Sequence, residues 1–382
     1  MPVEEYRVPP LIVYGCGAVE RVGVETARLG GRALLVCGRS AARQSGLLGR
    51  VQKLLEAAGV AVTVYDQVEP EPSNATVDRG AALARSCGAE VIVGLGGGSP
   101  CDVARAIAGL VGLGGEHIRD YEGPGAKPVD RPALPLVAVT TTSGTASEIT
   151  QVAVIKDPER NLKFGMKSAY WVAAVAIVDP ELTLGAPPEL TARTGIDALT
   201  HALEGYVSTK ATVVTDATAL RAIGLVGRHL RRAVAEGSDL EAREGMSMAS
   251  LLAGMAFANC GVGAVHALVH PVGARYGVPH GVACGIFLPY VMELNLPAVE
   301  AKMADIADAL EPGNREGRDA PNAVRRLLSD VGLPQTLAEV GVTEEALAEM
   351  VPGTMISAAL KTNPVPCGEA EVLALLRRAW KG

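Results

Sequence analysis

Through the first half of the chain, short and almost wholly aliphatic runs alternate with longer segments whose apolar residues recur every three to four positions. The runs are RALLVCG (32–38), VAVTVYD (60–66) and AEVIVGL (89–95), and the helical segments between them are LLGRVQKLLEAAG and ATVDRGAALARSCG. That order predicts parallel strands with helical crossovers. PLVAVTTT (135–142) is a further strand, and TQVAVIKD and KFGMK flank the turn KDPERN as a hairpin.

The pattern changes after VAIVDPELTLGAPP, where Pro180, Pro187 and Pro188 stop any preceding helix. Long Ala/Leu-rich amphipathic segments follow, with few strand signals. The expected architecture is an α/β domain over residues 1–187 and an all-α domain over 188–382. A helix is expected to start at Thr194 and Gly195. The uncharged run Gly245 to Val265 is long enough to span a bilayer. It holds four glycines and Asn259 and runs into His266, so it is read as one helix buried inside the protein.

Composition narrows the function. A length of 382 residues suits two domains, and 48% hydrophobic residues with 3% aromatic describe an aliphatic core. A net charge of −7 without a Lys/Arg run excludes the electrostatic footprint of nucleic-acid binding, so the expected partner is a small molecule. Seven scattered cysteines with no CxxC suggest neither a disulfide framework nor a zinc knuckle and fit a cytoplasmic setting. MPVEEYRVPP has no basic region followed by an apolar run, so no signal peptide is read there.

Two clusters carry candidate phosphate chemistry. AEVIVGL runs into Gly96, Gly97, Gly98 and Ser99, then Pro100, Cys101 and Asp102, and the helix VARAIAGLVG follows. Strand, glycine turn and helix N-terminus make a cradle for a pyrophosphate. The bland alternative is a tight connection with Asp102 as helix cap. GxGxxG is absent, which implies a nucleotide fold other than the usual dinucleotide fingerprint. Thr140 to Glu148 (TTTSGTASE) supplies hydroxyl and amide donors suited to phosphate or ribose.

The metal chemistry lies further on. Asp197 and His201 stand four residues apart and share a helix face. His266, His270 and His280 follow in HALVHPVGARYGVPHG, so with His201 this region holds four of the six histidines. One carboxylate and three imidazoles suit Fe²⁺, Zn²⁺, Mn²⁺ or Ni²⁺ and leave room for a substrate oxygen. Such an ion meets the electrostatic demand of hydride transfer.

GGGSPCD (96–102), TTTSGTASE (140–148), DALTHALEGYVS (197–208), HALVHPVGARYGVPHGVACGIFLPYVMELN (266–295) and TNPVP (362–366) together resemble the iron-containing alcohol dehydrogenase family, essentially end to end. The resemblance implies a dehydroquinate synthase-like architecture with the active site in the interdomain cleft. It also implies metal-dependent hydride transfer between NAD(P)(H) and a small alcohol or aldehyde. A hydroxyacid-oxoacid transhydrogenase or polyol dehydrogenase on the same fold is the alternative. Carried over, the metal ligands are Asp197, His201, His266 and His280, and iron is the expected ion. Asn74, Gly97, Gly98, Ser99, Asp102, Thr141, Thr142, Thr145, Lys163, Thr183 and Leu184 become nucleotide contacts, with Lys163 near the ribose. His270 becomes a proton relay, or else a support for His266. Phe257 and Cys367 line the substrate pocket, Phe257 having core packing as its alternative. The expected assembly is a homodimer or higher homo-oligomer.

The chain departs from that pattern at Arg105, where Lys is usual, and at Gly38, where NAD-preferring members often carry Asp. A carboxylate there would bond the adenosine ribose and repel a 2′-phosphate. Gly38, with Arg39 and Ser40 behind it, predicts that NADP(H) is used at least as well as NAD(H).

Overall fold

The computed structural model describes residues 5–123, 125–160 and 162–382. Asn161 of the predicted KDPERN turn and the first four residues of the leader reading lie outside them. The described strands are β1 (Leu11–Tyr14), β2 (Arg32–Gly38), β3 (Ala61–Val68), β4 (Val91–Gly96), β5 (Leu136–Thr140), β6 (Val152–Asp157), β7 (Leu162–Lys167) and β8 (Val175–Val178). Six form a parallel sheet in the order β1-β8-β5-β4-β2-β3, and β6 and β7 pair as the antiparallel hairpin.

The aliphatic runs form this sheet because both of its faces are covered. Val91, Val93 and Leu95 of β4 join Ala33, Leu35 and Cys37 of β2 in one apolar cluster, while Ile92, Leu34 and Val36 join another. The period of two divides each strand between them. The flanking helices are α1 (Val22–Ala27), α2 (Ala41–Gln44), α3 (Leu47–Ala57), α4 (Asn74–Ser86) and α5 (Gly98–Gly112).

The second half is helical throughout: α6 (Pro188–Val207), α7 (Val213–Ala235), α8 (Leu240–Cys260), α9 (Ala264–Tyr276), α10 (His280–Asn295), α11 (Glu300–Leu310), α12 (Ala320–Asp330), α13 (Leu347–Met355) and α14 (Glu369–Lys381), joined by turns and short 3₁₀ segments. Their apolar faces share one large cluster. The chain divides into two units. The first runs to Thr142 and resumes over Ala146–Gly185; the second takes Ser143–Thr145 and Ala186–Gly382.

Three sequence expectations need correction. Helix α6 begins at Pro188 rather than Thr194, since proline in the first turn forfeits no intrahelical bond and its φ suits the helix. Helix α5 begins at Gly98, so Asp102 lies inside it and cannot be its N-cap. The run from Gly245 to Val265 is not one helix: α8 ends at Cys260, and α9 leaves at 102° to it. Gly261, at φ 81°, adopts a backbone that side chains disfavour, and this opens the bend. By length and composition the stretch His280–Ala298 could cross a membrane, but 72% of it is buried within the protein, as a core helix would be.

Candidate active site

Helix α6 delivers Asp197 and His201 from one face, four residues apart. The bend after α8 places His266 in the first turn of α9, and His280 opens α10. Four side chains from three helices thus meet. Asp197 Oδ1 lies 3.5 Å from His280 Nε2, 3.7 Å from His201 Nδ1 and 3.9 Å from His266 Nε2, and the Nε2 atoms of His201 and His266 are 3.1 Å apart.

The 3.1 and 3.5 Å separations match donors on one ion, and Asp197, His266, His280 and Cys284 offer ligand atoms all within 4.8 Å of one another. Bonds of about 2.1 Å to one ion set neighbouring donors roughly 3 to 3.5 Å apart. Burial keeps the imidazoles neutral, as ligands must be: it pushes His266 down to about 4 and His280 to about 3, and His201 falls well below its ordinary value. Asp197 supplies the one negative charge in this set.

The surroundings hold the donors in place. Phe257 stacks on His201 with ring centres 4.0 Å apart and planes at 13°, and His201 stacks on His266 at 4.6 Å. His270 is half-buried one turn along α9, its ring centre 6.3 Å from that of His280 and beyond the donor cluster. Cys367 is not brought into the cluster: its Sγ faces Val365 O at 3.4 Å and lies beside Asn363.

Sequence reasoning missed two neighbours. Cys284 is one turn after His280, and its buried thiol donates to Asp197 Oδ1 at 3.8 Å. Burial and then Asp197 push that thiol well up, so it stays a donor rather than a thiolate. Glu204 accepts from Val265 N at 2.7 Å and lies 2.5 Å from His266 Nδ1. Burial raises it to about 7 against the pull of backbone N–H groups. The heptad step from Asp197 to Glu204, on the face of His201, was the available signal.

In the first unit, the predicted nucleotide residues other than Asp102 and Lys163 follow the carboxyl ends of the parallel strands. Strand order reverses about β2 and β4, whose ends are adjacent (Cys37 opposite Leu95), and crevices at such reversals bind ligands in α/β sheets. Gly38 and Ser40 close β2, while Gly97, Gly98 and Ser99 lead from β4 into α5. Thr141 and Thr142 follow β5, and a Cβ on Gly97 would stand 3.0 Å from Thr142 Oγ1. Asn74 opens α4 beyond β3, and Thr183 and Leu184 follow β8, the Thr183 hydroxyl donating to Pro180 O. Lys163 on β7 is paired with Glu71. Thr145 belongs to the second unit.

Asp102 spends its carboxylate within the protein, accepting from Val154 N at 3.1 Å and from Arg105 at 3.3 Å, and burial raises it to about 6. Arg105 is fully buried and also donates to the carbonyls of Trp171, Val152 and Ser147. An Arg fork serves these several acceptors at once, which accounts for Arg at this position.

Comparison with known proteins identifies the family. Residues 9–180 match the family described as iron-containing alcohol dehydrogenase, and residues 191–380 match the Fe-containing alcohol dehydrogenase family, C-terminal. The chain is 41% identical over 386 residues to 1,3-propanediol dehydrogenase of Klebsiella pneumoniae, covering 98% of each. It is 37% identical to the NAD-dependent methanol dehydrogenase of Bacillus methanolicus, covering 98% of this chain and 99% of that one. A crystal structure of a 1,3-propanediol oxidoreductase superposes with a TM-score of 0.94 at 40% identity, over 99% of this chain and 100% of the other. The chain belongs to the iron-containing alcohol dehydrogenase family and is a metal-dependent alcohol dehydrogenase that uses a nicotinamide dinucleotide.

Proposed function

We propose that the protein transfers hydride reversibly between a short-chain alcohol or diol and NADP(H) or NAD(H), with Fe²⁺ held by Asp197, His201, His266 and His280. The observation that carries the reading is that Asp197, His266, His280 and Cys284 offer ligand atoms all within 4.8 Å of one another, with His201 Nε2 3.1 Å from His266 Nε2. The bound ion supplies Lewis-acid stabilisation of charge on the substrate oxygen. One carboxylate and three neutral imidazoles leave a divalent site net positive, which suits an alkoxide. His270, one turn from His266, passes the hydroxyl proton outward. Phe257 and Cys367 line the substrate pocket.

For the dinucleotide, the N-terminus of α5 with Gly97, Gly98 and Ser99 receives the pyrophosphate. Asn74, Asp102, Thr141, Thr142, Thr145, Lys163, Thr183 and Leu184 complete the contacts. Gly38 leaves the ribose end without a carboxylate at that strand, and Arg39, 60% exposed, holds Gln67 O at 3.3 Å and Glu69 at 3.7 Å, partners that a 2′-phosphate would have to compete with. The domains are 1–187 for the dinucleotide and 188–382 for metal and catalysis, in a cytoplasmic homo-oligomer. The relatives do not favour the transhydrogenase alternative. The test is His266→Ala and His280→Ala, which should lose bound metal and turnover together. Near-normal kcat in either, after exhaustive chelation, refutes the metal assignment.

A further inference from the structure

Helix α9 starts without a side-chain cap of its own, because its N-cap is Gly263. The first N–H groups of a helix have no intrahelical partner and must find acceptors elsewhere. Here Ala264 N donates to Asn363 Oδ1 at 3.3 Å and Val265 N donates to Glu204 Oε1 at 2.7 Å. A Cβ on Gly263 would stand 3.0 Å from each of those oxygens, so glycine admits them. The second oxygen of Glu204 is 2.5 Å from His266 Nδ1, and the group is buried.

We infer that Glu204 is a positioning residue for the metal centre, fixing His266 in the Nδ1–H tautomer so that the Nε2 lone pair faces Asp197, His201 and His280. This rests on the metal reading above. Nε2 is the nitrogen that faces Asp197 and His201, so a neutral ring that offers its lone pair there holds its proton on Nδ1, and Glu204 Oε2 at 2.5 Å is placed to accept that proton's hydrogen bond. Capping and orientation are coupled, because one carboxylate holds both the helix start and the ring carried one residue later.

Glu204→Gln separates the two roles. The amide oxygen stays on Val265 N–H, so the cap is kept, while the amide NH₂ takes the other position and donates to Nδ1. The ring proton then moves to Nε2 and blocks the site. Expected results are unchanged far-ultraviolet circular dichroism and a zinc affinity, measured by chelator competition, that falls about 10- to 100-fold. In the metal-free wild type at pH 8.5, histidine-selective ¹⁵N NMR should show His266 as Nδ1–H, and in Glu204→Gln as Nε2–H.

Wild-type zinc affinity in Glu204→Gln would reduce Glu204 to a helix cap and overturn the inference. An Nε2–H tautomer in the wild type overturns it without any variant, which covers a variant that fails to fold. Zinc binding untouched by His266→Ala defeats the metal reading itself. Binding sensitive to His266→Ala but indifferent to Glu204→Gln defeats only the role of Glu204.

Discussion

Gly281 follows His280, at the point where α10 meets α6. A Cβ built there lies 1.9 Å from Arg193 O and 2.7 Å from its carbonyl carbon, both backbone atoms that cannot swing aside. Restoring an ordinary contact of about 3.4 Å asks for about 1.5 Å of movement between the two helices. Asp197 sits one turn beyond Arg193 on α6, so the shift falls on the 3.5 Å separation of His280 and Asp197. Overpacking of this kind costs about 1 to 3 kcal/mol, and a misplacement near 1 Å can cost about 10²-fold in rate. Gly281→Ala should therefore fold with a lowered melting temperature, bind less metal at equal free ion, and lose about 10²-fold in kcat. The assays are thermal melting, metal content by elemental analysis and alcohol oxidation at saturating ion. Full metal occupancy with unchanged kcat would show that the α6–α10 contact does not set the site, and would refute the reasoning.

Other outcomes follow from single positions. His270→Ala should keep its metal and lose about 10²-fold or more in kcat; an unchanged rate and pH profile makes His270 structural. Gly38→Asp should shift preference toward NAD, since the new Cβ would meet nothing nearer than Val68 O at 3.8 Å and the carboxylate repels a 2′-phosphate. A wild-type kcat/KM preference for NAD of tenfold or more, about 1.4 kcal/mol, contradicts the NADP proposal, as does a ratio that does not move. His229 is lowered by burial and then by Arg228 and Arg232, so below an unfolded value of about 6.5 the unfolded chain binds a proton that the fold refuses. Stability should fall as pH drops through 6.5 toward the depressed value, and His229→Leu should flatten that slope in urea titrations; an identical slope counts against it.

The sequence carried the strands, the hairpin and the helical second half because aliphatic runs and helical periods report burial directly. β1 and β8 escaped it: LIVY is a partly exposed edge strand, and VAIV lies in a proline-bounded segment. The four metal donors were readable because histidine is scarce here and Asp197 and His201 keep helical spacing. Glu204 and Cys284 were marked only by their helical spacing from Asp197 and His280, a weak signal, because the partners that give them their roles lie 62 and 87 residues away. Asp102 misled for a related reason: its position suggested a cap, but tertiary partners claim its carboxylate.

The bend at Gly261 shows why the least readable feature bears most on chemistry. A continuous helix through Val265 would leave His266 in a helix interior, and Gly261 and Gly263 weaken it locally. Breaking it places His266 in a first turn, and His280 opens the next helix likewise. At a helix N-terminus the partial positive charge disfavours an imidazolium, in the same direction as burial, so both rings are held neutral twice over. The break also exposes the orphan N–H groups that Glu204 and Asn363 satisfy. An uncapped helix start, costly in isolation, thereby recruits the carboxylate that orients a metal ligand, and hydrophobic periodicity has no term for that exchange.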